Sequence, residues 1–147
     1  MARVIGLDPG DRRIGIAVSD PSGTIASPHG FVDVEAGDVI EAITRLADEL
    51  EAMTVVIGLP LRLDGTEGPA AERSRTLGQA LADTGLVVEY HDERFTTVTA
   101  EAALIEGGVR RSKRKNTRDQ VAASVMLQGY LDGSRHRGNP DDSPGDA

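Results

Sequence analysis

Asp8 in GLDPGDRRIGIA, Glu93 in YHDERFTT and Asp119 in NTRDQVAAS are three acids set far apart in the chain, each within a short polar segment. Mg²⁺ and Mn²⁺ take hard oxygen ligands, and a few carboxylates hold one or two such ions against a phosphate while leaving positions open for water. The three acids are therefore candidate catalytic residues and candidate metal ligands for phosphodiester chemistry. Each also has an ordinary structural reading. Asp8-Pro9-Gly10 is a turn tripeptide, Glu93 beside Arg94 fits a surface ion pair, and Asp119 in the first turn of a helix favours the positive end of its dipole. Which reading holds depends on the elements that carry them.

Composition narrows the chemistry. With 147 residues the chain fits one ordinary domain with a modest core. The absence of cysteine excludes disulfides, a thiolate nucleophile and a zinc-cysteine site, and His29, His91 and His136 form no H-x-x-x-H pair. Any metal is then oxygen-ligated. No run approaches the roughly 18 apolar residues of a membrane span, and MARVIGLD enters a strand pattern without the regions of a signal peptide. A cytoplasmic protein with no membrane partner is expected.

Net charge is −8, from 16 Lys and Arg against 24 Asp and Glu, yet the sign is uneven. RRSKRKNTR, from Arg110 to Arg118, holds six basic residues and no acid. These cations precede a helix N-terminus, where its dipole disfavours them, which points to an anionic partner. A nucleic-acid backbone supplies one, and Lys113, Arg114 and Lys115 are candidate phosphate contacts. Arg94 is placed as a phosphate clamp. Arg12 and Arg13 either approach a phosphate near Asp8 or remain solvated in a turn. With two Phe, two Tyr and no Trp, a stacking platform of the single-strand-binding type is not expected.

The elements follow from periodicity. Arg3 to Leu7 and Ile14 to Ser19 read as strands joined by DPGDRR, whose Pro and Gly mark a tight turn. A third strand is expected within Thr24 to Val34, interrupted near Pro28 to Gly30. Val39, Ile43, Leu46 and Leu50 recur at helical spacing, widened by Ile40 and Ala47. TVVIGLP reads as a buried strand, LRLDGTEGP as a loop, Ala70 to about Thr84 as a helix, and Leu86 to Tyr90 as a strand. A helix over Thr97 to Glu106 ends at Gly107 and Gly108. Thr117 and Gln120 form a capping box that opens a last helix with Val121, Val125, Met126, Leu127 and Leu131 on its apolar side. Residues 134–147, ending RHRGNPDDSPGDA, read as a disordered tail after one domain over 1–133.

LDPGDRRIGIAV, GLPLRLDGTEGP, HDERFTT and KRKNTRD running into AASVMLQGYLD resemble, in order and spacing, the YqgF/RuvX family of the RNase H-like nuclease superfamily. The resemblance covers nearly everything from Val4 to Asp132. It implies an α/β, RNase H-like fold: a five-stranded mixed sheet of order 3-2-1-4-5 flanked by helices. It also implies that Asp8, Glu93 and Asp119 bind Mg²⁺ or Mn²⁺ and cleave a phosphodiester to leave a 5′-phosphate and a 3′-hydroxyl. The LDGTEG loop becomes a candidate substrate contact through Arg62, although the family usually has an amide and a Met where this chain has Arg62 and Leu63. In that strand order Asp8 and Glu93 sit two strand spacings apart, about 10 Å. Gly58, at the end of the intervening strand, is small enough to leave room between them.

Four functions compete. The resemblance most often implies an endonuclease that trims the 5′ end of precursor 16S ribosomal RNA during ribosome biogenesis. Resolution of branched DNA at Holliday junctions uses the same acids, and a domain this small suits a homodimer on a two-fold substrate. A non-catalytic nucleic-acid-binding factor needs only the basic loop. An actin-like ATPase needs two such lobes, and the chain lacks G-x-x-x-x-G-K-[ST].

Overall fold

The apolar runs fold as strands β1 (Val4–Pro9), β2 (Arg13–Ser19), β3 (Ala26–Asp33), β4 (Thr54–Leu59) and β5 (Val87–Asp92) in a computed structural model that describes residues 3–93 and 121–133. They form one sheet of order β3-β2-β1-β4-β5, the order expected. β1, β2 and β3 are antiparallel neighbours, while β4 lies parallel to both β1 and β5. Parallel pairing requires crossovers. Helix α1 (Val39–Leu50) precedes β4, and α2 (Pro69–Ala82) joins β4 to β5. Residues 121–133 form a further helix, α3.

Strand alternation divides the core into two layers. Ile5 and Leu7 of β1, Ile14 and Ile16 of β2, and Val55 and Ile57 of β4 face α1 and α2, where they meet Ile43, Ala47 and Leu81. The opposite face carries Ala17 and Val56, covered by Ala123, Met126, Leu127 and Leu131 of α3. Because β1 and β4 are covered on both sides, they read in sequence as continuous apolar runs rather than alternating ones. Each large side chain buried there contributes about 1.5–3 kcal/mol. Gly6 sets how closely α3 approaches, since a Cβ on it would lie 2.8 Å from Cβ of Leu127.

Local chemistry fixes the ends. Asp38 caps α1 by accepting a hydrogen bond from the Glu41 amide at 3.1 Å. Pro69 occupies the first turn of α2, where its missing N–H costs nothing. Three of the differences from expectation follow from strand pairing. β1 continues through Asp8 and Pro9, because Pro9 pairs with Ile14 and the Gly10 amide closes the hairpin onto the Arg13 carbonyl at 2.8 Å. β3 is unbroken at Pro28 to Gly30: it is an edge strand, where proline is tolerated, and the irregularity appears as a register shift between Gly15 and Ala17. β5 runs on to Asp92, since Gly58 and Leu59 offer partners for His91 and Asp92. The predicted helix over 97–106, the basic segment, the capping box and the tail lie outside the described residues.

Candidate active site

Two of the three acids converge at the carboxyl ends of parallel strands. Asp8 is near the end of β1, paired with Gly15 of β2. By alternation it shares the face of Gly6, which is the α3 side of the sheet. Glu93 directly follows β5 and shares the side of His91, whose Nε2 would be 3.2 Å from a Cβ on Gly129 of α3. Between them lies β4, and Gly58 removes the obstacle. A Cβ at Gly58 would overlap the Glu93 carboxyl group and lie 2.9 Å from its Cγ, so the side chain of Glu93 crosses over bare backbone. It reaches Asp8 and the two carboxyls hydrogen-bond to each other. The two-strand separation of their backbones is thus closed by one long side chain over a glycine.

Burial and proximity set their titration. Glu93 is pushed up to about 10, first by burial, then by the hydrogen bond and charge of Asp8, with Asp92 adding like-charge repulsion. Asp8 is also raised by burial, a shift opposed by the hydrogen bond from Glu93. The protonated Glu93 therefore donates to the Asp8 carboxylate. Two half-buried acids that share one proton form an arrangement that a hard cation can take over, since it neutralises both charges and accepts oxygen ligands. The donor set fits Mg²⁺ or Mn²⁺. Among the described residues no third His, Cys, Asp or Glu joins a cluster, and Asp119 lies outside them. α3, which follows Asp119 in sequence, packs on the same sheet face as the pair.

A second Asp-Pro dipeptide shows what turn chemistry looks like here. Asp20, before Pro21, accepts from the amides of Thr24 at 2.7 Å and Ile25 at 3.0 Å and from Ser22 Oγ at 2.6 Å. Those bonds, the Ile25 amide foremost, hold Asp20 down at about 2. Asp8 makes no such turn, and its pKa moves the other way. Identical dipeptides are thus driven apart by burial against local amides.

The basic candidates have different fates. Arg12 is exposed and pairs with Glu35 at 3.4 Å, a contact of little energetic weight. Arg13, two residues from Gly15 on the Asp8 side of β2, places its guanidinium 5.1 Å from the centre of the Phe31 ring. Period-two alternation is the signal that separates the two arginines, once β2 is known to begin at Arg13. Arg62 bends over Gly68 and reaches Thr66 Oγ1 and the Glu67 carbonyl, each at 3.5 Å. It braces its own loop. Arg94, Lys113, Arg114 and Lys115 lie outside the described residues. His91 packs against α3.

The 61–67 loop has more order than its Gly-rich wording implies. Leu61 and Glu67 form a bridge, the Arg62 amide donates to the Thr66 carbonyl at 2.9 Å, and Gly65 closes a turn onto the Arg62 carbonyl at 2.8 Å with φ of 88°. Arg75 of α2 grips Glu67 through two 2.6 Å bonds and lies 5.0 Å from the centre of the Tyr90 ring. No local motif marks this network, because Arg75 meets Glu67 only after α2 has formed.

Comparison with known proteins sets this geometry among relatives. The sequence profile of a family described as "RuvX: Holliday junction resolvase" matches residues 2–133. A protein of Lactococcus lactis subsp. lactis (strain IL1403) named "Putative pre-16S rRNA nuclease" is 47% identical over 135 residues, covering 89% of this chain and 94% of the relative. One of the same name from Myxococcus xanthus (strain DK1622) is 44% identical over 137 residues, covering 90% and 89%. Among solved structures, RuvC of T. thermophilus in complex with a Holliday junction substrate superimposes with a TM-score of 0.54 at 14% identity, covering 92% of this chain and 96% of that one. At that identity the likeness is one of fold.

Proposed function

The chain belongs to the RuvX family, and on that premise we propose that it is a metal-dependent endonuclease acting at the 5′ end of precursor 16S ribosomal RNA. The observation that carries the chemistry is the meeting of Asp8 and Glu93 over Gly58. Two half-buried acids held against each other repel once both ionise, and a divalent cation between them removes that cost.

In this reading Asp8 and Glu93 hold the ion and Asp119 completes its ligands. A Mg²⁺ or Mn²⁺ ion bound there supplies positive charge to the scissile phosphate and to an attacking water. The proton shared by the carboxyls must leave before both can act as ligands. Partial burial of the pair weakens the screening of their charge by bulk water. Arg13, held against Phe31 on the same face, orients a phosphate oxygen, a role its position supports better than that of the exposed Arg12. Arg94 and the segment with Lys113, Arg114 and Lys115 extend the phosphate contacts. The functional unit is the single domain over residues 1–133. A cytoplasmic location belongs to the same proposal, since that is where such an RNA is processed. Among the described residues no helix is long and apolar enough to cross a membrane.

The family description and the fold of RuvC favour a second reading, cleavage of a four-way DNA junction by a homodimer whose symmetry matches its substrate. Purified protein with Mn²⁺, offered labelled precursor RNA and a four-way junction side by side, separates the two. Cutting at the RNA 5′ end, lost in Asp8→Asn, is the expected result. Cutting of the junction alone sinks the RNA assignment, and retention of the cellular role by Asp8→Asn sinks catalysis altogether.

A further inference from the structure

Leu63 is the most exposed large apolar side chain among the described residues, at 93% against 65% for Met53. A lone exposed leucine is ordinary. This one is held out by a braced loop. It occupies the first corner of the turn in which the Gly65 amide bonds the Arg62 carbonyl. Asp64 Oδ1 accepts from both the amide and the hydroxyl of Thr66, at 2.9 and 2.6 Å. The Leu61–Glu67 bridge closes the base of the loop, and Arg75 ties that base to α2. An apolar tip is thus presented with little conformational entropy left to lose on binding.

Its place in the fold gives the tip a target. The loop leaves the carboxyl end of β4, the strand whose Gly58 lies between Asp8 and Glu93. The aromatic side chains among the described residues are already engaged: Phe31 and Tyr90 carry the guanidinium groups of Arg13 and Arg75, and the Tyr130 hydroxyl bonds Glu89 at 2.5 Å. Aliphatic side chains take this role elsewhere in nucleic-acid recognition, where Leu, Ile or Met inserts at a base step and holds it unstacked. The geometry points to Leu63 as a positioning residue that packs against the face of an unpaired nucleobase beside the scissile phosphate. The inference rests on the nuclease reading and names the local feature selected: a base already unstacked, as at the junction of a single strand with a duplex. RNA and DNA share that chemistry.

The chain has no tryptophan, so Leu63→Trp puts a single fluorescent reporter at the tip. The full-length protein is assayed with Mn²⁺ on an RNA hairpin bearing a 5′ single-stranded extension, on its DNA counterpart and on an unstructured strand of equal length. Leu63→Ala is expected to lower kcat/KM on the extended hairpins about tenfold, with at least a fivefold smaller loss on the unstructured strand, and Leu63→Met to restore most of the difference. The indole fluorescence of the Leu63→Trp variant is expected to be quenched when either hairpin is added, with RNA and DNA compared directly. Unchanged cleavage by Leu63→Ala together with an unquenched indole, while the wild-type protein still cuts, overturns the wedge and leaves the nuclease reading standing. Quenching without cleavage by the wild type removes the nuclease reading and keeps the base contact. The absence of both quenching and cleavage removes both.

Discussion

Gly58→Ala tests whether the two acids depend on the space between them. A Cβ at this position would stand 2.5 Å from the carboxyl carbon of Glu93, whereas ordinary contact begins at 3.4 Å. The carboxyl must therefore retreat by about 1 Å, a misplacement that costs catalysis on the order of 10²-fold. The backbone has no reason to object, since Gly58 is not among the residues of positive φ. Alanine in a strand is favoured over glycine by about 0.5–1 kcal/mol. Moving Glu93 away also relieves the cost of burying it beside Asp8. Metal-free stability is thus expected to hold or rise while function falls. Three measurements decide the matter: Mn²⁺-dependent cleavage, Mn²⁺ affinity by calorimetry, and urea unfolding in chelator. Wild-type cleavage and Mn²⁺ affinity in the variant would refute the idea that Glu93 reaches Asp8 over Gly58. A loss of more than about 3 kcal/mol would instead place the overlap on groups unable to move.

Further consequences concern charge, packing and salt. Glu93, raised to about 10 in the folded chain from an ordinary value of 4.5, keeps a proton that the unfolded chain releases. Metal-free stability should therefore fall as pH rises above about 4.5, by up to about 1.4 kcal/mol per pH unit, until the folded pKa is passed. Glu93→Gln should flatten that slope in urea titrations from about pH 5 to 8; an equal slope assigns the pH dependence elsewhere. Gly6→Ala sets two Cβ atoms 2.8 Å apart and should cost about 1–3 kcal/mol, read as a lower Tm, by lifting α3 from β1. Neutralising Lys113, Arg114 and Lys115 together should reduce the slope of log Kd against log salt by about 2 to 3. An unchanged slope takes that segment off the binding surface.

Much of the architecture was legible in the chain because its signals are local. The unbroken apolar runs of β1 and β4, the helical spacing of Val39, Ile43, Leu46 and Leu50, and the turn residues around Gly10 each encode an element through a few neighbours. Boundaries were less legible where pairing extends a strand past its own pattern, as at Asp8, Pro9 and His91. Asp8 illustrates the limit: its tripeptide reads as a turn, and Asp20-Pro21 does make one, so only pairing with Gly15 distinguishes them. Arg12 and Arg13 are equivalent as neighbouring charges, and strand alternation sends them apart.

The amino-acid sequence alone determined the lack of thiolate ligands, the order of the motifs and the strands and helices that carry them. Those depend on residue type and short-range period. Tertiary structure decided that Glu93 meets Asp8, because parallel strands separated by a crossover must be aligned before a side chain can span the gap over Gly58. It also decided their protonation, since desolvation is a property of the assembled core rather than of either acid.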